Sequence, residues 1–226
     1  MDKAFSIEES LKFGWEKTKQ HSLVLFEVLL TLFALNVVSG IVNSEFKNTA
    51  LGGLLSLAIA VAGIVLGTGF LVISLKIARG ETTSYRDIAP PARLVLMVFI
   101  ASLLVGVLVF AGLILLVIPG IYFGLRFSMV RYEVIDGAGI MESFERSTKL
   151  TDGYKWQLLG FFVVLALINA VGALLFLVGL LVTIPISMIA AAYVYIKLKE
   201  RAGEPAVAAT PSAAYEHHDH SHGEQQ

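Results

Sequence analysis

Six apolar runs, each near the length an α-helix needs to cross a bilayer, constrain this chain more than any other feature. They cover residues 22–42, 50–78, 94–117, 119–135, 156–176 and 181–197. At 1.5 Å per residue, about 20 residues cover the ~30 Å of hydrocarbon. The fourth and sixth runs are at the lower limit. Each follows its predecessor almost without a polar break, which predicts tight helical hairpins. Pro119 and Pro185 suit the first turn of a returning helix, where the missing N–H costs nothing. The expected fold is all-α: a polytopic membrane bundle of about six helices over residues 1–201, followed by a tail over 202–226.

Composition agrees. The chain is 56% hydrophobic and 15% charged, with mean hydropathy +0.77. Soluble domains run nearer 45–50% and about 25%. A net charge of −1 gives no reason to expect nucleic acid as a partner. Without cysteine, disulfides and thiol chemistry are excluded. The first apolar run is of spanning length rather than that of a signal-peptide core, and is expected to be a retained helix.

The basic residues are distributed asymmetrically. With six crossings, Lys3, Lys12, Lys17 and Lys19, then Lys76, Arg79, Arg86 and Arg93, then Arg131, Arg146, Lys149 and Lys155, then Lys197, Lys199 and Arg201 all fall on one side. Lys47 alone falls on the other. The positive-inside rule makes the basic side cytoplasmic, with both termini there, in a cell (inner) membrane.

Two stretches are expected to be interfacial helices. In residues 6–20, Ser6 and Glu9 have capping-box spacing, and Ile7, Leu11 and Trp15 share a face. In 140–151, Ile140 and Phe144 share a face, and Gly153 suits a stop. A shift of 133 residues places Ile7 on Ile140, Glu9 on Glu142, Ser10 on Ser143, Thr18 on Thr151 and Asn36 on Asn169 without a gap. The polar matches point to an internal duplication with parallel repeats.

Arg126 is the most unusual residue. In a continuous fourth helix it sits near the middle, where a charge costs about 2.5–3.5 kcal/mol on insertion scales. It is expected to face the bundle, with Tyr122, Met129 and Glu133 on its face and Glu27 of the first helix in reach. This Arg/Glu site is the candidate for binding an anion or lipid headgroup, against a purely structural ion pair. Asn36 and Asn169 lie inside helices, where interhelical hydrogen bonds are their default role and ion coordination the alternative. Gly52, Ser56, Ala60, Gly63 and Gly67 form a small-residue stripe expected to pack against a neighbouring helix. In the tail, His217, His218, His220 and His222 are weak metal ligands with no scaffold to hold them. No P-loop, HExxH or GxSxG pattern occurs, so no catalytic residue or cofactor is expected.

The run IPGIYFGLRFSMVRYEVID, then GIMESFERSTKLTDGYKWQLLG, then IPISMIAAAYVYIKLK, together with the head SIEESLKFGWEKTKQH, resembles the membrane domain attached to some bacterial glycerophosphoryl diester phosphodiesterases, and its stand-alone, largely uncharacterised relatives. The resemblance covers most of the chain up to Arg201. It implies a helical membrane fold. It carries over no phosphodiesterase activity, because the catalytic barrel is absent from this chain, and no functional residue. The functional expectation is a non-catalytic inner-membrane protein, an accessory or scaffold in envelope or lipid processes. The alternative is a small transporter or lipid-handling protein. Expected partners are membrane lipids and a second copy or another membrane protein.

Overall fold

A computed structural model describes residues 4–175 and 179–203. Nine α-helices and one 3-10 turn account for most of them, and no strand occurs among the described residues. Five helices are long and apolar enough to cross a membrane: α2 (Ser22–Glu45), α3 (Ala50–Arg79), α4 (Ala92–Leu115), α8 (Lys155–Leu174) and α9 (Leu180–Arg201). The other four are α1 (Ile7–Gln20), α5 (Val117–Arg126), α6 (Val130–Ile135) and α7 (Ile140–Thr151). The chain is a helical membrane bundle.

Helix boundaries follow local chemistry. The Ser6 hydroxyl accepts from the Glu9 N–H, and the Thr49 hydroxyl accepts from the Gly52 N–H, so two N-termini are capped by short oxygen-bearing side chains. Gly80 stops α3 in the left-handed region at φ 73°, a conformation that costs glycine nothing.

Helices α2–α3, α4–α5 and α8–α9 pack as hairpins, and the core gathers where their basic ends meet. Every residue of α3 from Thr68 to Leu75 is buried, as are Ile189, Ala190 and Val194 of α9. At the opposite end the hairpin tips are bare: Leu115 is 75% exposed, Ile118 79% and Leu174 81%. Apolar surface of this extent is stable only against lipid.

Three expectations are corrected. The fourth run is not one helix. It breaks after Arg126, and α6 resumes at Val130. Pro119 is the third residue of α5, as expected, but Pro185 is the sixth of α9 and lies inside it. The α1 helix keeps one face at the surface and packs the other on the bundle. It runs along α9, with Phe13 stacked on Tyr193 at 4.3 Å, the Tyr193 hydroxyl donating to Glu9 at 2.5 Å, and Gly14 against the Ile186 carbonyl. Its outer face of Glu8, Lys12, Glu16 and Lys19 stays exposed, which puts water or headgroups beside that stretch of α9. Finally, the small-residue stripe of α3 makes no close helix crossing. A Cβ at Gly67 would meet nothing within 4 Å, and one at Gly63 only Leu35 at 3.7 Å.

The two halves matched in sequence are alike locally. Asn36 and Asn169 each donate to the carbonyl four residues back, Leu32 and Leu165. Their surroundings differ, because α1 packs along α9 while α7 packs mainly on α6.

Candidate functional site

The break after Arg126 in the fourth apolar run, which is not among the five helices long enough to cross, frees backbone groups that must find partners away from water. Helix α7 satisfies them. Ser147 donates to the Arg126 carbonyl at 2.9 Å and accepts from the Met129 N–H at 3.3 Å, and Thr151 donates to the same carbonyl at 3.2 Å. Both hydroxyls are buried. Replacing Ser147 with alanine leaves a buried N–H without a partner, at about 1–3 kcal/mol. Ser147→Ala should therefore lower thermal stability in detergent by that amount. A loss no greater than that of the solvent-side Ser84→Ala would show that the break needs no such bridge.

Beside the break lies a cavity of about 850 Å³ between α4, α5, α6, α8 and α9, inside the range of about 300–1,000 Å³ typical of small-molecule sites. Its walls are mostly apolar, including Phe110, Leu113 and Phe162. Ser102, Ser128, Ser187 and Arg131 supply polar points. Asn169 donates to Ser187 at 2.8 Å, leaving the Ser187 proton free to donate, and the Asn169 carbonyl oxygen is buried without a partner. Asn169 therefore stands just behind the cavity wall. Asn36 is exposed on α2 and bonds only within its own helix.

At the basic end, charged side chains from four helices meet away from solvent. Asp136 accepts from Arg79 at 2.5 Å, Lys199 at 3.1 Å and Tyr195 at 2.7 Å. Glu133 lies 3.0 Å from the same Tyr195 hydroxyl, whose one proton the two carboxylates share, 3.8 Å from Lys199 and 3.6 Å from Arg146. The side chains of Arg79, Asp136, Glu133 and Lys199 are 5% exposed or less. Tyr132 stacks on Tyr195 at 5.1 Å. This cluster ties α3, α6, α7 and α9 together. Each carboxylate has two cations within 4 Å, whereas two buried Arg79 nitrogens, Nε and Nη1, find no hydrogen-bond acceptor.

Arg126 does not join that cluster, nor does it pair with Glu27. Its Nε donates to Thr148 at 3.1 Å and its Nη1 to the Tyr122 hydroxyl at 3.3 Å. Glu27 is exposed on α2, and its backbone carbonyl rather than its carboxylate accepts a bond, from Thr31. The expected Arg126–Glu27 pair fails because α2 packs on α3 rather than α5, and the shared face with Glu133 fails because the helix ends at Arg126, which sets that side chain against α7 and sends Glu133 elsewhere. Of the residues expected at the site, Tyr122 stays with Arg126, Asn169 borders the cavity, and Glu133 belongs to the ionic cluster. Asp136, Arg79, Lys199, Tyr195 and Arg131 were missed. The only signals were Glu133 with Asp136 at i, i+3 and Tyr195 with Lys199 at i, i+4, which look like ordinary flanking charges. Among the described residues, no group of three or more His, Cys, Asp or Glu could hold a metal ion. The four tail histidines lie outside the described residues.

Fold and site together define a helical membrane protein with a broken fourth apolar run, a mainly apolar cavity and a buried ionic base. No family model, no curated protein and no solved structure matches the chain.

Proposed function

We propose that this is a non-catalytic protein of the cytoplasmic membrane that takes up a membrane amphiphile, a polar head with an acyl chain, in the cavity beside the broken fourth run. One observation carries the reading: the break opens about 850 Å³ of mainly apolar space, with Arg131 and three serines as its polar points. Apolar walls suit an acyl chain, and a few convergent polar groups suit a head. This favours lipid handling over a purely structural scaffold. In this reading the basic end is cytoplasmic. The resemblance to the phosphodiesterase-linked membrane domain and the duplication of 7–38 in 140–171 belong to the same proposal. The first rests on the sequence patterns, the second on the shared polar positions and the matching bonds of Asn36 and Asn169.

The test is occupancy. A Cβ at Gly106 meets nothing within 4 Å, and one at Gly124 only Val109 at 4.0 Å, so phenylalanine at either position would fill the cavity. Wild-type protein purified in mild detergent should retain a bound lipid by native mass spectrometry. Gly106→Phe and Gly124→Phe should lose it while keeping their thermal stability. Stable variants that retain the lipid, or a wild type that carries none, would refute the reading.

A further inference from the structure

Arg126 and Lys155 converge on one phenol outside the cavity, and we propose that this nest, formed by Arg126, Tyr122 and Lys155 where α5, α7 and α8 meet, binds a phosphate group. Lys155 Nζ lies 3.4 Å from the Tyr122 hydroxyl and 2.9 Å from Asp152, and it sits over the Tyr122 ring at 4.9 Å from the centroid. Arg126 reaches the same hydroxyl at 3.3 Å. Two cations that share one acceptor repel each other, so the arrangement needs a counter-charge. Asp152 supplies one, on the Lys155 side. Its carboxyl is held below the ordinary value first by the Lys155 hydrogen bond, with Arg126 adding a weaker pull. Among the described residues no carboxylate forms an ion pair with Arg126. The nest keeps a net charge of +1.

Its unused groups are all donors. A guanidinium has five N–H groups and an ammonium three. Arg126 uses one on Thr148 and one on Tyr122, leaving three. Lys155 uses two, leaving one. With its oxygen accepting from both cations, Tyr122 has its own O–H to donate. Thr148 is fully engaged, donating to the Phe144 carbonyl at 2.8 Å while it accepts from Arg126. Tyr122 is 38% exposed, so a ligand can reach the nest. A planar fork beside a point charge and a hydroxyl matches the oxygens of a phosphate monoester or diester. The ligand is thus a lipid headgroup phosphate or a free phosphate. The nest does not rest on the cavity reading, because neither Arg126 nor Lys155 lines the cavity.

Trp156, next to Lys155 and 86% exposed, is a built-in reporter once Trp15→Phe removes the chain's only other tryptophan. The protein is placed in phosphatidylcholine nanodiscs containing brominated phosphatidylglycerol at increasing fractions, with brominated phosphatidylcholine as control. Quenching of Trp156 by the anionic lipid should saturate at a fraction where the zwitterionic control is still rising. Arg126→Gln and Lys155→Gln should each shift that saturation about tenfold, the value of one charge-assisted hydrogen bond. Arg126→Lys, which keeps the charge and is the variant least prone to misfold, should retain the preference with a smaller shift. Gly106→Phe should leave the curve unchanged, which separates this site from the cavity. Inorganic phosphate displacing the anionic lipid would identify free phosphate as a ligand, and its failure to do so would identify the lipid headgroup. Coincident curves for the two lipids together with no response to phosphate, or folded glutamine variants that keep the preference, would overturn the proposal.

Discussion

Asp136→Leu should unfold the bundle more readily than any other single substitution near the basic end, at a cost of about 3–5 kcal/mol. Asp136 is 1% exposed at its side chain and accepts from Arg79, Lys199 and Tyr195 at once. Its removal takes from Arg79 the carboxylate it bonds at 2.5 Å and leaves Lys199 facing Glu133 at 3.8 Å. Two Arg79 nitrogens are already buried without acceptors, and a guanidinium stays charged inside proteins. The damage is therefore the cost of a stranded cation rather than the loss of an attraction. A second variant separates these. Buried ion pairs have little net value against packed apolar groups of similar size, so Arg79→Leu added to Asp136→Leu should recover much of the loss. Thermal unfolding in detergent across the two singles and the double gives the coupling. A single-variant loss below about 1 kcal/mol, or purely additive losses, would mean that the cluster does not hold α3 to α6.

Glycines two residues apart on α3, on nearly opposite faces of the helix, should respond in opposite directions. At Gly69 an added Cβ would lie 2.0 Å from the Ile88 carbonyl oxygen and 2.4 Å from its carbon. This is backbone, in the 3-10 turn Tyr85–Ile88 that folds back onto α3 and is tied there by the Lys76–Asp87 ion pair at 2.7 Å. Gly69→Ala must push that turn outward, at about 1–3 kcal/mol for an overpacked contact. It should also raise the rate of proteolytic cleavage within residues 80–91. At Gly67 nothing lies within 4 Å, so alanine adds helix propensity alone and should stabilise by about 0.5–1 kcal/mol. Equal effects at the two positions would show that the turn is not seated against Gly69.

Much of the architecture was legible in the residues because membrane helices are set by local properties. Apolar length and capping need no partner, and α2, α3, α4 and α8 begin and end within a few residues of the expected runs. The Arg126 site was not legible. Its expected depth and partner assumed a continuous fourth helix, because no proline follows Pro119 in 117–135 and isolated glycines such as Gly124 are tolerated inside helices. Polar positions inside helices fared unevenly: Asn169 found a partner across the hairpin in Ser187, whereas Asn36 found only its own backbone.

What the sequence determined by itself is the solvent and the element type. Runs of about 20 apolar residues need lipid around them, and a backbone in lipid must bond to itself, so these runs are helices whatever they pack against. The tertiary structure decided where a helix could stop being one. The turn at Phe127–Met129 is tolerable only because Ser147 and Thr151, some twenty residues on, bring hydroxyls to the freed carbonyl and N–H. That same break opens the cavity, turns Arg126 toward Tyr122 and Lys155, and delivers Glu133 and Asp136 to the cations of α3 and α9. Each of these depends on which distant side chain arrives at a given backbone atom, and hydropathy along a chain carries no record of that.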